Sequence, residues 1–224
     1  MFEQIIDPYV DVSKNAQPPV MPVAAADFRD HVAGGWNAVH PAIRLRMDRL
    51  LTSQTSTVFE GQGCVHRNWF GWLFAQAARL LGAPLVWRQG NNVKTTVTVA
   101  PTPSGNRCWH RLFDFEDGFQ QLVQTSKVVD PKLGFLDAVG TDGEKMLATQ
   151  MTVWAQGDSL FFESSEYWLR LGRFKLKVPP LLTPGKLHAE HRDEGNGWFR
   201  YVLKFTHPLW GQTFYQDGRF RMVD

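Results

Sequence analysis

Apolar and polar residues alternate with a period of two through much of the chain. Between Val93 and Val99, valines alternate with lysine and threonine, which is typical of a strand with one buried face. Further strands are predicted at 107–115, 119–128, 133–140, 145–156, 159–168, 186–193, 197–206 and 211–222. Gly157-Asp158 and Glu194–Gly197 are typical hairpin turns. Short strands joined by tight turns predict an antiparallel meander.

The first part of the chain has a different pattern. Residues 1–23 contain four prolines and are predicted to form an extended arm. A short helix is predicted over Ala24–Val32, ended by Gly34-Gly35, and a longer one over Pro41–Leu51, with proline at its first position. Residues 24–224 are predicted to form one α+β domain.

A strongly apolar helix is predicted directly after the first strand, Thr57–His66. Asn68 is a suitable N-cap, and Gly82-Ala83-Pro84 would end the helix. Its apolar residues surround the axis: Trp69, Phe70, Trp72, Leu73, Phe74, Leu80 and Leu81. Such a helix is expected either to be buried between the sheet and another element or to line a cavity. The predicted fold is therefore mostly β, a long antiparallel sheet curled into a barrel or half-barrel around or against this aromatic helix.

Composition narrows the functional classes. The 224 residues include 24 Lys and Arg against 22 Asp and Glu, and the basic residues are scattered, which argues against a nucleic-acid-binding protein. The N-terminus lacks the pattern of a signal peptide, and no segment has the length of a membrane span. Cys64 and Cys108 are isolated, so no disulfide framework is expected. These features predict a cytoplasmic protein.

Aromatic residues are abundant, with nine Trp and sixteen Phe. On a curved sheet, large aromatic side chains leave irregular space, which suits a START-like or lipocalin-like cavity for a bulky apolar ligand. The alternative is that these residues form a densely filled core.

Two charged residues are predicted to point inward. Arg111 alternates with Trp109 and Phe113, and Asp137 lies in the apolar strand 133–140. An inward charge is costly unless it is paired or functional. We expect Arg111 and Asp137 to pair with each other, either as a structural ion pair or as a polar anchor that holds a ligand oxygen.

Four further residues are candidates for acid–base chemistry. His188 and Glu190 share one face of a predicted strand, and together with Tyr215 they could form an acid–base set. A solvated strand face is the alternative. His207 ends a strand before Pro208, where it would cap a turn or reach a cavity mouth.

The familiar cofactor and metal motifs are missing from the sequence. It contains no Gly-x-Gly-x-x-Gly and no phosphate-binding loop. His188 and His191 resemble half of a zinc site, but residues three apart on a strand face opposite ways. Gly157–Leu160 spells an esterase signature, yet it falls in a predicted hairpin. We therefore expect no metal and no cofactor.

Several segments occur in a characteristic order: His40–Arg44, Phe59–Gly63, Trp109–Phe113, Phe135–Gly140, Pro179–Pro184, and His207–Gly211 followed by Tyr215. In this order they resemble the bacterial family catalogued as domain of unknown function 4166, over roughly residues 36–222. Members of that family stand alone or follow a reductase domain like that of saccharopine dehydrogenase. The resemblance implies small-molecule metabolism and a reductase partner, without an established activity.

Three functional hypotheses follow. The first is a module that binds a small hydrophobic metabolite, with contacts from Trp72, Trp109, Arg111, Phe113 and Tyr215. The second is a cofactor-free isomerase, cyclase or dehydratase in which Arg111 stabilises an oxyanion and Asp137, His188 or His207 moves the proton. The third is a structural domain without a cavity. The first is preferred, because no acid–base pair is dictated by spacing.

Overall fold

The structure, a computed structural model, describes residues 27–81, 85–140, 147–171 and 174–223. The predicted arm (1–23) and the predicted helix stop at Gly82–Pro84 lie outside these residues. Among the described residues, no helix has the length and hydropathy needed to cross a membrane.

Antiparallel strands make up most of the fold, as predicted. The bounds of all the strands are β1 Val32–Ala33, β2 Thr57–Arg67, β3 Gly90–Pro101, β4 Arg107–Asp114, β5 Gln120–Asp130, β6 Gly134–Val139, β7 Leu147–Gln156, β8 Ser159–Leu171, β9 Phe174–Lys177, β10 Lys186–Gly195, β11 Trp198–His207 and β12 Gly211–Val223. The described parts of the chain contain two α-helices, α1, Pro41–Thr52, and α2, Trp69–Leu80.

The sheet closes into a barrel. Strands β2 to β8 follow one another as a meander, β10 pairs with β8, and β12 returns to pair with β2. Of the strands in the described residues, β1 and β9 alone lie outside this ring: β1 runs parallel to β7, and β9 pairs with the end of β8. Closure gives every ring strand two neighbours, which removes the exposed sheet edges that an open meander would leave. The predicted barrel is confirmed.

Turn chemistry agrees with the predicted hairpins. The β10–β11 turn passes through Gly195, Asn196 and Gly197, with φ of 76°, 52° and 79°. Asn tolerates this left-handed conformation better than other side chains do, and Gly adopts it without strain. The sequence Gly-Asn-Gly therefore fixes both the position of the turn and the pairing of β10 with β11.

Helix α1 closes one end of the barrel. Its apolar face buries Ile43, Met47 and Leu50 in the core. At its C-terminus, the buried Arg107 of β4 donates hydrogen bonds to the carbonyls of Leu50 (2.9 Å), Leu51 (2.6 Å) and Ser53 (2.9 Å). These carbonyls would otherwise be unsatisfied at the end of the helix. Arg107 therefore fixes α1 to the barrel wall.

We expect Arg107→Met to lower the free energy of unfolding by about 2 kcal/mol, because it leaves partly buried carbonyls without donors. Urea unfolding followed by circular dichroism measures this change. The matched control is Arg44→Met: Arg44 lies on α1, and its one hydrogen-bond acceptor among the described residues is the exposed side chain of Asn37. Equal stability of the two variants would contradict the assigned role.

Helix α2 differs from the prediction of a buried helix. Its buried residues are Gly71 and Ala75, whereas Trp69 is 64% exposed. A Cβ at Gly71 would lie 1.9 Å from the Thr213 carbonyl oxygen, so the helix packs on β12 through its smallest residue. Close approach on that side leaves the larger side chains around the flanks and on the outer surface. The predicted cap is present: the Asn68 side chain accepts from the Gly71 N–H at 2.9 Å.

The predicted helix over Ala24–Val32 is shorter than expected. Its described part is one 3-10 turn, Phe28–His31, capped by the Asp27 side chain. Val32 and Ala33 instead form β1. Pairing with β7 supplies hydrogen bonds that local helical periodicity does not reveal.

Candidate functional site

The barrel encloses a cavity of about 440 Å³, which lies within the size range of small-molecule sites. Most of its wall is apolar and aromatic. Its large apolar side chains include Phe28, Phe59, Phe74, Trp109, Phe113, Phe162, Phe199, Phe205, Phe214 and Phe220. A molecule in this space would meet mainly rings and aliphatic groups.

The wall also contains polar side chains, and we call seven of them the polar band; Thr183, His191 and Gln216 line the cavity outside it. It comprises Arg111, Thr125, Lys127, Asp137, Thr149, Tyr167 and Tyr201, all of which line the cavity. Four of them form a continuous row across neighbouring strands, in which Lys127 lies opposite Asp137, Asp137 opposite Thr149, and Thr149 opposite Tyr167. Residues opposite one another in a sheet share a face, so the row is aimed into the barrel.

Ionic and hydrogen-bond contacts organise the polar band. Lys127 Nζ lies 2.9 Å from Asp137 Oδ1, and Arg111 Nη1 donates to Thr125 Oγ1 at 3.0 Å. The Tyr167 hydroxyl donates to the Gly185 carbonyl at 2.7 Å. The band therefore holds two cationic side chains and one carboxylate, an excess of positive charge in an apolar cavity.

Burial shifts the acid–base behaviour of the band. Burial lowers the pKa of Lys127, and the neighbouring Arg111 lowers it further, against the opposing effect of Asp137. Burial also raises the pKa of the Tyr167 and Tyr201 phenols, so both are neutral hydrogen-bond donors near pH 7. Tyr201 has no hydrogen-bond partner among the described residues, which leaves its hydroxyl available to a ligand.

Four predicted site residues meet in the cavity wall: Trp109, Arg111, Phe113 and Asp137. The prediction that Arg111 and Asp137 form an ion pair is wrong, because Asp137 pairs with Lys127 instead. Asp137 lies directly opposite Lys127 on β5, whereas Arg111 is on β4, one strand further away. Arg111 is therefore left with a neutral partner, Thr125.

Trp72 does not line the cavity. It is partly buried on α2, with its ring centroid 6.4 Å from that of Trp69. Phe74, two residues later, points into the cavity instead, because residues two apart on a helix lie on different faces.

His188 and Tyr215 lie on the outer face of the barrel. Their neighbours Leu187, Ala189, Phe214 and Gln216 line the cavity, and alternation turns His188 and Tyr215 away from it. His188 Nδ1 is 3.7 Å from a Glu163 carboxylate oxygen, and the Tyr215 hydroxyl donates to Asp217 at 3.0 Å. Lys204 stands between the two residues on β11, so the expected acid–base set is not assembled.

His207 caps a turn rather than facing the cavity. It is buried, its Nδ1 accepts from the Leu209 N–H at 3.1 Å, and its ring stacks on Trp210 with centroids 3.9 Å apart. It is not part of the cavity wall. Its position therefore matches the turn-capping alternative.

Among the described residues, no group of three or more His, Cys, Asp or Glu side chains could hold a metal ion. His191 lines the cavity, while His188 faces outward, so the two face opposite ways. Arg46 Nη1 lies 2.9 Å from His191 Nε2 and thereby occupies the ring nitrogen nearest α1.

Sequence reasoning missed Lys127, Tyr167, Tyr201 and His191. Lys127 continues the inward alternation of Val123 and Thr125 on β5, so its face was available from the pattern. A lysine near a strand end normally extends to solvent. For that reason Lys127 was not predicted to line the cavity.

The cavity reaches the surface beside α2. Two of its lining residues are exposed: Ala77 on the helix and Leu182, which is 66% exposed, in the turn Pro180–Leu182. At these two residues the described part of the cavity wall meets solvent, and both side chains are apolar.

Comparisons with known proteins identify the family of this chain. Residues 39–220 match the family model described as a domain of unknown function, DUF4166. No curated protein matches the sequence. One solved structure, provisionally assigned as a thioesterase II from Thermobifida fusca YX, has 10% identity and covers 81% of this chain and 84% of its own. Its TM-score is 0.25, too low to carry an argument.

Proposed function

This chain belongs to the family of domains of unknown function 4166, and we propose that it binds a small hydrophobic metabolite inside its barrel. The ligand would combine an apolar body with an oxygen-bearing, preferably anionic, group. The apolar wall would take the body, and the polar band would take the oxygen. The cytoplasmic location and the reductase partner that would receive the ligand belong to the same proposal.

The position of Arg111 carries this proposal. Its guanidinium has five N–H donors, yet Thr125 is its one hydrogen-bond acceptor among the described residues. Asp137 does not neutralise it, because that carboxylate contacts Lys127. An arginine with free donors in an apolar cavity is suited to a carboxylate or a polarised carbonyl.

We expect octanoate to bind at least about tenfold more tightly than 1-octanol, and Arg111→Met to remove this preference. The two probes share an apolar tail, and Met retains much of the apolar stem of Arg. Isothermal titration calorimetry measures both affinities. The matched control is Arg221→Met, on the exposed outer face of β12, which should keep the preference.

Failure of the folded wild-type protein to bind either probe would refute the proposed cavity function. Equal affinity of wild type and Arg111→Met for octanoate would refute the role of Arg111. Organic extraction of protein from its own host, followed by mass spectrometry, would then identify any natural ligand.

A cofactor-free enzyme is the second candidate, favoured by two observations. Asp137 and Lys127 are in direct contact at 2.9 Å, and the pKa of Tyr201 responds to both Arg111 and Asp137. Several proton-carrying groups therefore face the same space. Release of a chemically changed ligand after incubation would favour this candidate. The third hypothesis, a structural domain with a filled interior, conflicts with the cavity of about 440 Å³.

A further inference from the structure

Lys127 is an unusual feature of the cavity, because a lysine ammonium normally reaches solvent. Its Nζ lies inside the barrel, 5.6 Å from the ring centroid of Trp109 and 5.8 Å from that of Phe162. Its one ionic partner among the described residues is Asp137. The amine thus lies between two aromatic rings, in a space that a ligand can enter.

The surrounding charges favour a reactive amine. Burial and Arg111 lower the pKa of Lys127, while Asp137 raises it, and the net direction is downward. A desolvated lysine beside a second cation has a larger neutral fraction near pH 7, and the neutral amine is the nucleophile. Tyr167 and Tyr201 are the other titratable groups coupled to Asp137 at this site.

We propose that Lys127 forms a Schiff base with the aldehyde or ketone carbonyl of the ligand. This step rests on the proposed function, because it requires an apolar carbonyl compound to enter the cavity. It specifies that compound further: the oxygen-bearing group includes a carbonyl that reaches Nζ. Arg111 is available to the carbonyl oxygen or to a second oxygen of the same molecule.

The condensation balances without an external reagent. Neutral Nζ attacks the carbonyl carbon, forming the C–N bond as the C=O π bond breaks, and a proton passes from the nitrogen to the carbonyl oxygen to give a neutral carbinolamine. The C–O bond then breaks, and the oxygen leaves as water with a second proton. Overall, an ammonium and a carbonyl compound give a protonated imine and water. The second proton is the one that the ammonium released on becoming neutral, and Asp137 remains beside the cationic imine as its counter-ion.

Reductive trapping with octanal tests this proposal. The purified protein is incubated with octanal, reduced with sodium borohydride, and analysed by intact mass and peptide mapping. We expect one dominant adduct at Lys127, with at least about tenfold less labelling at other lysines, because a lowered pKa favours the neutral amine. Lys127→Arg keeps the charge but has no primary amine, so this adduct should vanish.

The matched control is Lys204→Arg, on the outer face of β11, which should leave the Lys127 adduct unchanged. Binding of 1-octanol, which cannot condense, reports separately on the cavity and on the folding of Lys127→Arg. Binding of 1-octanol without dominant labelling at Lys127 would overturn the Schiff-base proposal and leave the proposed function standing. Binding of neither octanol nor octanal would overturn both.

Discussion

Gly63→Ala should strongly destabilise the barrel. Gly63 of β2 lies opposite Gly218 of β12, and a Cβ at Gly63 would lie 1.9 Å from the Asp217 carbonyl oxygen and 2.5 Å from Gly218 Cα. Both obstacles are backbone atoms, so no side-chain rotation relieves the clash. The strands must separate where β12 closes the ring onto β2. We expect a loss of more than about 4 kcal/mol, a large share of the stability of an ordinary domain.

Urea unfolding followed by circular dichroism measures the effect, together with the yield of soluble protein. The matched control is Gly118→Ala, in the turn between β4 and β5. Gly118 has a φ of +79° but nothing within 4 Å of its Cβ position, so alanine there costs only the backbone strain, about 1 kcal/mol. Equal losses for the two variants would show that close strand approach is not what makes Gly63 necessary.

Strand positions were the most predictable part of this fold. Alternation assigned Arg111 and Asp137 to the inner face because a pleated strand leaves each side chain one of two directions. The loop residues Gly195–Gly197 then indicated where the chain reverses. The small strands β1 and β9 escaped prediction because they are too short for a periodic pattern and depend on pairing with β7 and β8.

The partner of Asp137 required register, which alternation does not contain. The turn between Asp130 and Gly134 sets the pairing of β5 with β6, and that pairing places Lys127 opposite Asp137. A shift of two residues would have kept every side chain on its face and changed the ion pair. The face of the sheet on which a side chain lies can therefore be predicted more securely from sequence than the residue that it contacts.

Helix α2 illustrates a different limit. Its many aromatic residues predicted a buried or cavity-lining helix, yet the buried side is formed by Gly71 and Ala75. Close packing on β12 depends on the absence of a side chain at Gly71. A pattern of hydrophobic and polar residues does not show that this glycine is a contact point. Trp72 does not line the cavity although it is the larger residue, because it lies on a different face of α2 from Phe74, which does line it.

Acidification from pH 7 to pH 4.5 should lower the free energy of unfolding by about 3 kcal/mol through His191. Burial, aided by the positive charge of Arg46, lowers the pKa of His191 to about 3, whereas an unfolded histidine has a pKa of about 6.5. Below pH 6.5, His191 therefore binds a proton in the unfolded chain but stays neutral in the folded chain. The stabilisation is complete above pH 6.5 and declines as the pH falls toward 3.

His191→Gln should remove most of this pH dependence, because Gln can still accept a hydrogen bond from Arg46 but does not titrate. Urea unfolding at pH 7, 6, 5 and 4.5 measures the slope, in a range above the ordinary pKa of aspartate. His66→Gln, on the exposed outer face of β2, is the matched control and should keep the wild-type slope. Burial also lowers the pKa of His110, so a smaller slope of the same sign should persist in His191→Gln. A full wild-type slope in that variant would mean that His191 can accept a proton within the folded barrel, against its contact with Arg46.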